Sequence, residues 1–460
     1  MLKRLSLAAL LILIIVTPVS AQSNSYPIYT VQSGDTLSSI AALFGTSTAD
    51  LISLNNITDP NFLSEGTELF IPGLEGISGY LVQKSVALGE SFSTIVKTSS
   101  LTEADLVRIN RLTSPNEVFA GATIITTKAE SATQLTPLGA ATSSGTYLEL
   151  AVLNNQTALA LQRENSLQGA WDLQSGQILY SNQPENDFNY FRSLQGVQNI
   201  SLSRLPIMQG KTIVVKVTAT EPLLLSGSLN GHELHFFGNG DNEYIALQGI
   251  HRQAETGITD FSITGWSDDQ QVFSYQQPVL LVADYFPTDN KLYVDPVLMD
   301  PKVTEPEDQL IREVAAPANP DKEWDGYFQK PLDRTDCVSA VFGAIRSYND
   351  SPFIYSHAGT DFAVCANNLN IYAAAPGTVV LAKQLDVRGN AVVIDHGWGV
   401  YTGYWHQSEI LVSVGEHVEA GQIIGQVGTT GRSSGPHLHW EVWVGDVQVE
   451  PLDWLANVYP

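Results

Sequence analysis

Two stretches near the N-terminus share one order of apolar and polar positions. In residues 28–73, Tyr29-Thr30-Val31 reads as a short strand, and Leu37, Ile40, Ala41 and Phe44 form the apolar stripe of a helix over Thr36 to Phe44. Ala49 to Asn55 makes a second helix, and Leu69-Phe70-Ile71-Pro72 closes the unit as a strand. Residues 79–127 repeat this pattern at an offset of fifty-five without gaps, pairing Gly34 with Gly89, Asp50 with Asp105, Asn55 with Asn110, Pro60 with Pro115 and Gly66 with Gly121. Such self-similarity means two copies of one strand–helix–helix–strand unit.

Residues 128–146 are rich in small and polar types and read as a linker. Over 147–298 the pattern changes to short alternating strands, among them Thr212–Thr218 and Phe261–Trp266, with turn signals at Asn230-Gly231 and Gly238-Asn239-Gly240. The part at 200–296 suggests an immunoglobulin-like β-sandwich, whereas 147–199 yields no assignment. Residues 299–322, rich in proline and acidic residues, read as a second linker with a short helix at Glu307 to Val314. The expected fold is multidomain and mainly β.

Charge and targeting narrow the function. The first 21 residues have Lys3 and Arg4, an apolar run from Leu5 to Val16 and the small-residue pattern Val19-Ser20-Ala21, which together read as a signal peptide. The run is short for a membrane span, so the expectation is an exported chain without stable membrane insertion after cleavage, although a retained N-terminal anchor stays open. The destination would be periplasmic, cell-wall-associated or extracellular. Cleavage takes the formal charge from −25 to −27, which repels phosphate backbones and excludes nucleic acid as a partner. With 43% hydrophobic residues the chain can fill ordinary cores, and its length suits about three domains or more. The only cysteines, Cys337 and Cys365, are expected to pair as a disulfide in an exported protein.

Candidate chemistry gathers at the C-terminal end, where six of the nine histidines lie beyond residue 356. His437 and His439 in Gly435-Pro436-His437-Leu438-His439 would project from one face of a strand, and His357 and Asp361 in His357-Ala358-Gly359-Thr360-Asp361 can turn toward one point. Two imidazoles and a carboxylate make a three-ligand zinc site with an open position, as hydrolases have; the third imidazole is then free to handle protons, and His406 is a second such group. His232, His235, His251 and His417 read as ordinary core or surface groups, and His396 as a structural buried ring with a backbone partner.

These residues, with Gly389-Asn390-Ala391-Val392-Val393-Ile394-Asp395-His396-Gly397 and Tyr404-Trp405-His406 between them, resemble the lysostaphin/LytM-type zinc metallopeptidases over about 324–456. That resemblance implies an antiparallel β-sheet domain holding one Zn²⁺ per chain through His357, Asp361 and His439, with His406 and His437 as catalytic histidines. The implied activity is hydrolysis of peptide bonds in peptidoglycan stems or cross-bridges. The alternative is a non-catalytic wall-binding activator of another hydrolase. The first repeat, through Tyr29-Thr30-Val31-Gln32-Ser33-Gly34-Asp35-Thr36-Leu37, closely resembles a LysM module. This implies binding of N-acetylglucosamine-containing glycan through Gly34, Asp35 and Thr36 on one loop and Asn55 and Asn56 on the other. The second copy carries Glu90-Ser91 in place of Asp-Thr and is degenerate.

Overall fold

The first repeat folds as its apolar pattern requires. Strand Ile28–Thr30 pairs antiparallel with Glu68–Phe70, and helices Leu37–Phe44 and Thr48–Asn55 lie between them in the chain. Leu37, Ile40, Ala41 and Phe44 are all buried, with Tyr29, Leu51 and Leu69. Thr36 caps the first helix, accepting from Ser39 N in a reciprocal capping box, which satisfies amides the helix cannot. The computed structural model describes residues 26–99, 101–128, 136–140, 148, 151–152, 156–165, 167, 169, 178–181, 191 and 194–460, so the targeting segment lies outside them. Among the described residues, no single helix is long and apolar enough to cross a membrane.

The chain divides into two units. The first takes in the described residues up to Val82 with Leu101–Arg111 and 125–128; the second holds the rest. Within the second unit, one loop of the second repeat meets a β-sandwich. Gly89 N donates to Gln277 Oε1 (2.7 Å) and Tyr275 OH (3.1 Å), Gln277 Nε2 donates to Glu90 O (2.8 Å), and Ala120 bridges Val279. The sandwich spans 197–282. One sheet runs Phe237–Gly238, Glu243–Gly249, Thr212–Ala219, Val197–Leu202; the other runs His232–Leu234, Leu224–Leu229, Gly257–Ser267, Gln270–Val282, Ile207–Met208. Over 200–296, where an immunoglobulin-like sandwich is expected, the structure has these two sheets sharing one core.

Two expected linkers hold regular structure. Strand Thr136–Ala140, inside 128–146, pairs antiparallel with Ile178–Ser181, and helix Ala158–Glu164 lies in the unassigned stretch. Helix Pro301–Ala315 begins six residues before the expected one, capped by Asp300 with proline at its first position. It is no free linker, because Ile311 and Ala315 pack with Leu381, Ala391, Val393, Tyr401, Trp405 and Trp443.

Those last residues line one face of the C-terminal sheet. In spatial order its strands are Val338–Ala340, Thr360–Ala363, His437–Val444, Val400–Gln407, Gly389–Asp395, Gly377–Leu385 and His417–Val418. The opposite face buries Tyr404, Leu438, Trp440 and Val442 in a larger core that includes Trp324, Trp398 and Trp454. That core extends into the sandwich through Ile245 and Leu247, and Phe237 stacks on Trp398 with ring centroids 5.3 Å apart. Cys337 and Cys365 form the expected disulfide, with Cα atoms 6.3 Å apart.

Candidate metal centre

Register brings the site together. Asp361 lies directly opposite His439 on the neighbouring strand, and Trp405 lies opposite His439 on its other side. His357 sits just before the Asp361 strand and is 3% exposed. Its approach depends on Gly359, where a Cβ would stand 2.3 Å from Trp440 O and 2.8 Å from His439 Nε2.

The donor atoms converge. His439 Nδ1 lies 2.8 Å from Asp361 Oδ1, and His357 Nε2 lies 2.9 Å from His439 Nδ1 and 3.1 Å from Asp361 Oδ1. The outer ring nitrogens fix the tautomers. His357 Nδ1 donates to Val341 O (2.8 Å), and His439 Nε2 donates to Glu441 Oε1 (3.0 Å). Both inner nitrogens then present lone pairs to a carboxylate oxygen with no hydrogen between them. Three acceptors in buried contact call for a cation, and this donor set with an outer layer of hydrogen-bond acceptors fits zinc. The other cluster of metal-ligating side chains among the described residues, Asp336 with Cys337 and Cys365, has both sulfurs tied in the disulfide.

Electrostatics favour positive charge at this point. Burial works against ionised Asp361, yet His357 and His439 hold its carboxyl well below the usual carboxylate range. Burial likewise opposes charge on His439, but Asp361 and Glu441 raise its pKa. Burial lowers His357 to about 4. The second carboxylate oxygen of Asp361 accepts from Arg346 Nη2 at 2.6 Å, leaving Oδ1 free for a metal, and Arg346 Nε in turn donates to Asp289 Oδ2 (2.9 Å).

Two further histidines border the trio. His437 Nδ1 donates to Gly435 O (2.8 Å), and its Nε2 lies 3.6 Å from Asp361 Oδ1. His406 Nδ1 donates to Thr430 O (2.7 Å), and its ring centroid is 4.9 Å from that of His437. Simple alternation would put His406 on the Tyr404 face, inside the large core. An irregularity in pairing between Asn390 and Val392, with φ of 63° at His406, instead turns the ring toward the site. Burial, with His437 and His439 nearby, lowers the His406 pKa to about 3, and burial lowers that of His437 too. Both rings therefore offer a neutral Nε2.

All five expected residues meet on the floor of a cleft of about 550 Å³. Glu441, Arg346 and the carbonyls of Val341 and Thr430 were not expected from sequence. Glu441, two residues past His439 on the same strand face, was the one with a visible signal. His396 is fully buried between Pro376 O and Thr402 Oγ1, as a structural ring should be. His232 and His417 pair with Asp446 and Glu323 at the surface, whereas His251 lines the cleft.

The expected glycan residues have structural work in the first repeat. Asn55 Nδ2 donates to Leu51 O and Phe70 O while its Oδ1 accepts from Phe70 N, so this amide clamps the second helix to the closing strand. Asn56 is a left-handed helix cap, and Asp35 Oδ2 accepts from Tyr29 OH and Gln32 N. Gly34 is open, with nothing within 4 Å of the position a Cβ would take.

Comparison with known proteins defines the classes. Residues 355–451 match Peptidase family M23, and 29–72 and 85–127 match the LysM domain. The chain thus carries an M23 peptidase domain and two LysM domains. It is 41% identical over 118 residues to the peptidoglycan DD-endopeptidase ShyA of Vibrio cholerae, covering 25% of this chain and 27% of that protein. It is 36% identical over 134 residues to the DD-carboxypeptidase/endopeptidase Mpg of Neisseria meningitidis, covering 28% and 30%. The chain therefore aligns with under a third of the length of these relatives. Among solved structures it resembles the catalytic domain of lysostaphin from Staphylococcus simulans, with 28% identity, TM-score 0.21 and coverage of 30% of this chain and 92% of that one.

Proposed function

We propose that this protein is an exported zinc metalloendopeptidase that hydrolyses peptide bonds of peptidoglycan while its first LysM module holds wall glycan. The observation that carries this reading is the buried contact of three lone-pair donors, His357 Nε2, His439 Nδ1 and Asp361 Oδ1, on the floor of an open cleft. His357, Asp361 and His439 would hold zinc there, which would supply Lewis acidity toward the scissile carbonyl and a water acidic enough to attack near neutral pH. Glu441 orients the His439 ring and keeps its inner nitrogen basic. His406 and His437, with neutral Nε2 atoms facing the cleft, take a proton from attacking water, return it to the leaving amine and donate to the developing oxyanion.

The cleft suits an acidic peptide. Arg252 and Arg432 line it and form no ion pair among the described residues, in a chain of net charge −25. Arg252 is held by Ser356 and Gln448, and Arg432 lies over the Tyr348 ring. The Arg432 guanidinium lines the cleft and can receive a substrate carboxylate, whereas Arg252 is engaged through Ser356 and Gln448. Similarity to peptidoglycan endopeptidases and the paired LysM domains support a wall location. Tethering to the polymer raises local substrate concentration. The test is digestion of purified peptidoglycan by the full chain, with mass spectrometry of the fragments, with and without a zinc chelator. New amino and carboxyl termini that vanish with the chelator are expected, and intact cross-links under both conditions would refute the proposal.

A further inference from the structure

We infer that residues 136–181 hold a third copy of the N-terminal repeat, continuing its offset of fifty-five residues from the turn between the helices to the closing strand. The asparagines fall at Asn55, Asn110 and Asn165, and glycines follow eleven positions later at Gly66, Gly121 and Gly176. The asparagine clamp is the same in each. Asn55 Nδ2 donates to Leu51 O (3.0 Å) and Phe70 O (2.8 Å) and its Oδ1 accepts from Phe70 N (2.7 Å). Asn110 makes these bonds to Leu106 O (3.0 Å), Ile125 O (2.8 Å) and Ile125 N (2.6 Å). Asn165 makes them to Leu161 O (2.8 Å), Tyr180 O (2.8 Å) and Tyr180 N (2.6 Å).

The surroundings of the clamp agree. The second helix is capped by Ser47, Thr102 and Thr157 in turn, each accepting from the amide three residues on. Leu51, Leu106 and Leu161 are fully buried. The turn between the helices closes by Thr46 N to Ala41 O (2.9 Å) in the first copy and Gln156 N to Ala151 O (2.8 Å) at the matching positions of the third. Strand Thr136–Ala140 pairs antiparallel with Ile178–Ser181, as Ile28–Thr30 does with Glu68–Phe70. Ala151, Leu161, Leu167 and Leu179 form a core cluster of their own. A side chain that bonds one helix carbonyl and both backbone groups of a strand residue fifteen positions on is a long-range device. Its return at the same spacing marks common architecture rather than chance.

Under the wall-binding reading proposed above, this gives the chain a third module in its binding half. The experiment reads folding rather than glycan binding, so the two ideas fail separately. Hydrogen exchange on the full chain carrying Asn165→Leu should show protection falling roughly tenfold or more in 158–164 and 178–181, the scale of losing buried hydrogen bonds. Protection across 197–282 should be unchanged, and Asn55→Leu should act likewise on 48–55 and 68–70. Asn165→Asp, which keeps the acceptor for Tyr180 N, should give a smaller loss and serves if the leucine variant does not fold. Unchanged exchange around Asn165, or loss of protection spreading through the sandwich, would overturn the inference.

Discussion

Glu441 accepts the Nε2 proton of His439 at 3.0 Å from two residues farther along the same strand. Burial pushes the Glu441 carboxyl up, but the His439 hydrogen bond and Arg388 bring it down to about 2, so the partner is an anion at any working pH. Trp443 Nε1 and Gln448 Nε2 donate to its other oxygen at 2.7 and 3.1 Å and fix its orientation. Glu441→Gln keeps the shape and removes the charge. Zinc affinity, measured by chelator competition, should fall about 10–100-fold, the range for partners of metal-bound histidines. Unchanged affinity would mean the His439 ring needs no anionic support.

His406 and His437 border the proposed metal trio and are proposed to handle protons. His406→Ala and His437→Ala should keep zinc, read by metal analysis, and lose turnover on peptidoglycan by roughly 10²-fold or more. A variant with near-normal turnover would remove that residue from the mechanism.

His396 gives the folded state a pH dependence separate from catalysis. Its ring is held between Pro376 O and Thr402 Oγ1, and burial lowers its pKa to about 4. A histidine depressed in the native state binds its proton more readily when unfolded, so stability is complete above about pH 6.5 and declines as pH falls toward 4. For a shift of this size the loss attributable to His396 is roughly 3 kcal/mol. Denaturant melts at pH 7 and pH 4 should show that much less acid sensitivity in a folded His396→Asn variant than in the wild type. Equal sensitivity would place the proton uptake elsewhere.

The two matched LysM copies differ in what covers their first loop. Gly34 stands open in the first, whereas Gly89 in the second is bonded to Gln277 and Tyr275 of the sandwich. Pull-down of the full chain by insoluble peptidoglycan or chitin should therefore weaken with Asp35→Ala and stay near wild type with Glu90→Ala. Circular dichroism should confirm that both variants remain folded. The reverse order would make the docked loop the glycan contact.

Much of this was legible because period and packing coincide. The stripe Leu37, Ile40, Ala41, Phe44 faces the module core, and the two-residue spacing of His437 and His439 puts both on the site face. His406 escaped such reasoning, since alternation assigns its face to Tyr404 and an irregular step in the ladder reverses it. The clustering of histidines beyond residue 356 and the resemblance pointed to it. Arg346 also left no trace, because its partners Asp289 and Asp361 lie far apart in sequence. Proline and acidic content suggested a linker at 299–322, yet Pro301 begins a helix whose apolar side meets Trp405 and Trp443. The clamp made by Asn55 left no local trace either, because its strand partner Phe70 lies fifteen residues on.

The proposed zinc peptidase centres on His357, Asp361 and His439. Its most direct test is to measure zinc content and peptidoglycan cleavage together in the wild-type chain and in Asp361→Ala. One zinc per wild-type chain with release of cross-link peptides is expected, with loss of both in a folded Asp361→Ala variant. Full zinc occupancy or undiminished cleavage in that variant would contradict it.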